Sequence, residues 1–75
     1  MSVWYKQSAG DETTDGPRVV EPHHAGQTDT ALLKAKAAGA EDKGWAVTWG
    51  GRRSFTATKL RRDPPVLYVR EFWIE

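Results

Sequence analysis

The last ten residues, Val66-Leu67-Tyr68-Val69-Arg70-Glu71-Phe72-Trp73-Ile74-Glu75, limit most strongly what this chain can fold into. Read as a strand, the segment is apolar on both sides. Val66, Tyr68, Phe72 and Ile74 share one parity, while Leu67, Val69 and Trp73 share the other. A strand of that kind asks to be covered twice, as in sheets buried on both faces. The chain has 75 residues and no cysteine, enough for one small domain without disulfide or thiolate-metal staples. One helix cannot cover both parities. The surplus side, Leu67, Val69 and Trp73, must therefore meet the N-terminal strand (Val3, Trp4, Tyr5), the polar segment that follows it, a second copy, or another protein.

The helix is the simplest element to place. Thr28-Asp29-Thr30 supplies cap candidates and a first-turn acid, Ala31 to Ala38 are strong helix formers, and Gly44 is a C-terminal stop beside Lys43. The reading is a helix over 29–43. Its small-residue stripe of Leu32, Ala35 and Gly39, flanked by Ala31, Leu33 and Ala38, suits close packing on a sheet.

Two alternating runs follow, Trp45 to Trp49 and Arg53 to Leu60, joined through Gly50-Gly51. Because the strand period is two, the parity of the loop decides which side chains share a face. An odd loop, Gly50-Gly51-Arg52, opposes Val47 to Phe55 and Trp45 to Ala57. It gathers Trp45, Val47, Trp49, Phe55 and Ala57 on one face and leaves Ala46, Thr48, Ser54, Thr56 and Thr58 on a solvated one. Arg61-Arg62-Asp63-Pro64-Pro65 reads as the connection to the last strand.

Residues 7–28 hold only Val19 and Val20 as large aliphatics and are rich in Gly, Pro, Thr and Asp, so they read as an extended polar arm or long loop. Fold class follows: a single α+β domain over 1–75, with an antiparallel sheet (N-terminal strand, hairpin, C-terminal strand) and one α-helix packed on one face. The hairpin and last strand occupy 44–75. Charge is segregated along the chain. Residues 1–30 carry two basic and five acidic groups, residues 43–62 six basic groups and no acid, and the sequence totals a net charge of +1. That balance excludes a histone-like binder, and an apolar content of 39% leaves no stretch for a membrane span or a signal-peptide core. An intracellular, cytoplasmic protein is expected, or a virion-associated one if the source is a phage.

Catalytic constellations do not emerge. His23 and His24 beside Glu21 are adjacent and point to opposite sides of an extended segment, a poor start for a metal site. No Gly-x-Ser-x-Gly elbow, phosphate-cradling glycine loop or facing carboxylate pair is present. The expectation is a non-enzyme with no cofactor, metal, membrane partner or small-molecule substrate.

Two contact surfaces remain. The outer side of the last strand with the N-terminal aromatic, Trp4, Leu67, Val69 and Trp73, forms a candidate protein interface for a protein partner or a homo-oligomer. Arg52, Arg53, Lys59, Arg61 and Arg62 with Trp49 form a candidate nucleic-acid surface, cations for phosphates and an indole for bases. Trp45-x-Val47-x-Trp49, Gly51-Arg52-Arg53, Phe55 and Thr58-Lys59 are similar to the three-stranded arm-type DNA-binding domain of phage integrases, over about fifteen residues. In that family the helix follows the sheet; here it precedes the hairpin. Small size, absence of cysteine and reliance on partners also match the composition of phage and mobile-element accessory proteins. Assembly through protein contact is the leading expectation, nucleic-acid binding the alternative.

Overall fold

The computed structural model describes all residues 1–75. Five strands and one helix follow in the order β1 (Val3–Ala9), β2 (Glu12–Val20), α1 (Asp29–Asp42), β3 (Ala46–Trp49), β4 (Ser54–Arg62) and β5 (Pro65–Ile74). The strands form one antiparallel sheet in the order β2-β1-β5-β4-β3. Chain order sets this topology. Three hairpins pair β1 with β2, β3 with β4 and β4 with β5, and β1 then joins β5 at the centre. The connection from β2 to β3 must pass from one sheet edge to the other, and α1 lies in it, on one face. It touches β1, β5, β4 and β3.

The helix begins where its sequence places it. Thr28 is the N-cap, its hydroxyl accepting from the Ala31 amide at 3.1 Å, and Gly44 at φ +87° takes the left-handed position after the C-cap Lys43. Its buried face differs from the expected stripe. Leu32, Leu33, Ala37 and Ala40 are buried, whereas Ala31, Ala35 and Ala38 are exposed and Gly39 is half-buried. At 100° per residue, Leu33, Ala37 and Ala40 fall within one narrow sector and Ala35 falls behind it.

Against the helix pack Val3, Tyr5, Phe55, Ala57 and Phe72, with Val20, Trp45, Val47 and Ile74 at the margin. Phe72 lies between two rings, stacked on Phe55 at 4.7 Å and tilted against Tyr5 at 5.1 Å. Hairpin parity is as expected, with Val47, Trp49, Phe55 and Ala57 on the helix side, but the register is shifted. Val47 pairs with Ala57 and Trp49 with Phe55. Gly50 donates its amide to the Ser54 carbonyl, so the three loop residues are Gly51, Arg52 and Arg53, with Gly51 at φ +86°.

Two expectations are corrected. Residues 7–28 are not an arm: β1 runs on to Ala9, Gly10-Asp11 turns the chain, and Glu12–Val20 pairs with β1, leaving only 21–28 as loop. An edge strand needs backbone pairing more than a core face, so polar composition did not prevent it. Likewise Arg61 and Arg62 are not connection but ladder, opposite Val66 and Pro65, with Asp63-Pro64 as the turn. Both edges resist further pairing, since β3 has four residues and β2 carries Pro17 and register irregularities.

Candidate functional site

The sheet leaves one face bare. Trp4, Leu67, Val69 and Trp73, expected together on an outer surface, do lie together on the side away from α1. Trp4 stands directly opposite Trp73, with Val19 beyond Trp4 on β2 and Ser54 beyond Trp73 on β4. The next row across β1, β5, β4 and β3 is Lys6, Glu71, Thr56 and Thr48; the one after is Ser8, Val69, Thr58 and Ala46, and Leu67 pairs with Leu60 near the rim. Neither the N-terminal strand nor residues 12–20 fold over this face, because both are spent as neighbours within the sheet. Leu60 and Leu67 are 57% and 46% exposed, well beyond the core side chains.

Lys6 and Glu71, at the middle of that face, are cross-strand neighbours, yet neither takes part in an ion pair. The chain's one ion pair is Arg18–Asp15, at 3.1 Å on the outer edge. Its hydrogen bonds from Arg18 hold the Asp15 carboxyl below its usual range. No acidic side chain of the N-terminal stretch is therefore paired directly with a basic residue of 43–62.

Those basic residues do not gather as one surface. Arg52 and Arg53 sit in the β3–β4 loop beside Trp49, Lys34 and Asp29, at one end of the molecule. Arg61 is eight residues from Arg53, about 27 Å along a strand. Arg62 has the parity of Leu60 and belongs to the bare face. Lys59 and Arg61 share the helix side of β4 and line a concavity of about 350 Å3 with Gln7, Trp45, Tyr68 and Arg70. Sequence reading missed Gln7, Tyr68 and Arg70 there. Their signal was parity, since 68 and 70 alternate with Phe72 on the helix side, but only the helix's length shows that α1 stops short of them.

Arg70 is tightly placed in that concavity. Its guanidinium lies over the Trp45 ring at 4.3 Å, and its Nε donates to Gln7 Oε1 at 2.8 Å. The same Gln7 oxygen accepts from the Tyr5 hydroxyl at 3.1 Å, and Gln7 Nε2 donates to Thr14. Burial pushes the Tyr5 phenol above its ordinary value, opposed by the charge of Arg70. The folded phenol thus holds its proton to higher pH than the unfolded one, so its contribution to stability is present below the unfolded pKa and is lost as pH rises through the folded one. An ultraviolet absorbance titration should show one tyrosine ionising late, and Tyr5→Phe should abolish that late step. A late step surviving in Tyr5→Phe would contradict the assignment.

His23 and His24 are exposed in the 21–28 loop, and no three His, Cys, Asp or Glu side chains are grouped to hold a metal. No helix is long and apolar enough to cross a membrane. No protein-family model matches the chain, and neither does any curated protein or solved structure. A five-stranded sheet with its helix ahead of β3 also differs from the three-stranded sheet and following helix of the integrase arm-binding domain, so the likeness stays confined to residues 45–59.

Proposed function

We propose that this is a non-catalytic assembly protein whose bare sheet face packs against the same face of a second copy. The observation that carries the reading is the self-complementary pattern across the β1–β5 pair: Trp4 opposite Trp73, Lys6 opposite Glu71, Ser8 opposite Val69. A two-fold axis lying in the face, along the strands and between β1 and β5, exchanges the two columns. It sets Lys6 over Glu71 of a second copy and Trp4 over Trp73 of that copy, an isologous contact that closes at two. The two charges left unpaired within the chain then find partners across the interface, where electrostatic complementarity fixes register.

Size and shape support the same partner. The four strands that overlap across this axis, β2, β1, β5 and β4, about 4.8 Å apart and about 23 Å long, present roughly 440 Å2 before side-chain relief is counted, at the small end of the interface range whose standard is ~800 Å2 per partner. Aligned packing of two such sheets is a common arrangement, and protected edges leave the face as the surface open to association.

Charge reversal tests this reading. The wild type is expected to sediment as a dimer at tens of micromolar concentration, on the order of ordinary homodimer affinities. Glu71→Lys, which sets like charges against each other twice across the axis, should weaken association at least about tenfold. Lys6→Glu combined with Glu71→Lys should restore it. A monomeric wild type, or a Glu71→Lys protein that associates as well as wild type, would overturn the proposal.

A further inference from the structure

On the opposite face, past the C-terminal end of α1, the geometry points to a second site: we infer that the concavity around Tyr68 binds single-stranded nucleic acid. The helix accounts for its existence. Fourteen residues of helix span about 21 Å, whereas the ten residues of β5 span about 33 Å, so α1 cannot cover the whole strand. What stays uncovered on the helix side is the end of the sheet built from the second half of β4 and the first half of β5.

The side chains there have one sign of charge. Tyr68 stands opposite Lys59 in the β4–β5 register, diagonal to Arg61 and two residues from Arg70 on its own strand. Three cations thus surround one half-buried aromatic ring, and no carboxylate lines the concavity. None of the three is in an ion pair; Lys59 donates to the Lys43 carbonyl, and Arg70 is held by Trp45 and Gln7. Cations left unneutralised around an aromatic wall are the arrangement that recognises phosphate and base together. Lys59 and Arg61 are two residues apart on one strand face, about 6.6 Å. That spacing resembles the step between successive phosphates of an extended single strand. At about 350 Å3 the concavity has room for one base with its phosphate, and a base can lie against Tyr68 only when it is unstacked, as in a single strand. An extended strand running along β4 would set phosphates on Lys59 and Arg61 and lay a base against Tyr68. Arg70, held over the Trp45 ring and by Gln7, supplies the third charge with little further loss of side-chain freedom on binding.

This inference does not depend on the sheet-face dimer, since the concavity lies on the other side of the sheet. Titration of the full chain into a fluorescently labelled oligothymidylate, followed by anisotropy across a salt series, tests it. Binding should weaken with salt at a slope of about −2, on the order of −0.7 per neutralised phosphate for three contacts. Lys59→Ala with Arg61→Ala, both exposed positions, should flatten the slope by more than one unit, and Tyr68→Leu should weaken binding roughly tenfold. Arg52→Ala with Arg53→Ala, at the far end of β4, should leave the affinity within about twofold. Circular dichroism confirms the fold of each variant. Absence of binding at low salt, a matched duplex bound as tightly as the single strand, or an equal loss from the Arg52 and Arg53 pair would each overturn the site.

Discussion

Leu33→Asp is expected to leave the chain unfolded at room temperature, while Ala35→Asp, two residues along the same helix, melts close to wild type. Leu33 has no exposed surface and lies among the buried side chains of helix and sheet, whereas Ala35 is exposed. A carboxylate placed at position 33 either stays charged without a partner or takes up a proton, and both cost several kcal/mol. A chain of 75 residues has about 4 to 11 kcal/mol to lose. At position 35 the new carboxylate meets water and costs only about 0.5 kcal/mol of helix propensity. Thermal melts followed by circular dichroism measure both. A folded Leu33→Asp, or an Ala35→Asp that melts as low, would show that the helix sits on the sheet by another face.

That pair of positions also shows where the sequence was legible. Caps and stop residues marked the helix ends to within one residue, because Thr28, Lys43 and Gly44 act through local backbone chemistry. The buried face was not marked, because the middle of the helix, Ala31 to Ala40, is Ala, Leu and Gly broken only by Lys34 and Lys36 and carries little contrast between sides. The stripe through Leu32 and the one through Leu33 differ mainly in which alanines they enclose. Strand parity, by contrast, was legible in β1, β3, β4 and β5. Phe55, Phe72, Tyr5 and Val47 fall on the helix side as alternation requires, and Trp4, Leu67, Val69 and Trp73 fall on the other. A parity error would have reversed whole strands, so the large side chains fix it together.

Residues 12–20 were lost for a different reason. Hydrophobic content marks a strand that faces a core, but β2 is an edge held by backbone bonds to β1, and its side chains are mostly exposed. The Gly10-Asp11 pair between two runs of strand-compatible residues was the available hairpin signal. The pairing of β2 has a functional consequence. An arm could have folded back over Trp73 and sealed the surface, whereas a fifth strand instead widens the bare face and places Val19 beside Trp4. The candidate nucleic-acid set is dispersed for another reason. Its residues are near in sequence but divide between the β3–β4 loop, with Arg52 and Arg53 beside Trp49, and the far end of β4, where Lys59 and Arg61 share the helix side and Arg62 lies on the other.

Phe72 and Trp73, neighbours on β5, are expected to separate stability from assembly. Phe72→Ala removes the ring packed between Phe55 and Tyr5, a loss of about 3 to 5 kcal/mol for a buried aromatic, and should unfold or nearly unfold the chain at any concentration. Trp73→Ser acts on the other side of the sheet. Within one chain the Trp73 indole donates only to the exposed Glu75 carboxylate, at 2.9 Å, so its removal should leave the monomer folded. Between copies it removes the large aromatic anchor at one end of the proposed interface, of the residue type that dominates binding energy when truncated. The measurements are light scattering and melting temperature across a hundredfold range of protein concentration. Wild type should scatter as a dimer and melt higher as it is concentrated, since association stabilises the folded form by mass action. Trp73→Ser should scatter as a monomer and melt at one temperature throughout. The contrary outcome is a monomeric wild type with a concentration-independent melt and a Trp73→Ser as unstable as Phe72→Ala. It would make Trp73 a fold residue like its neighbour and leave the bare face without a role in assembly.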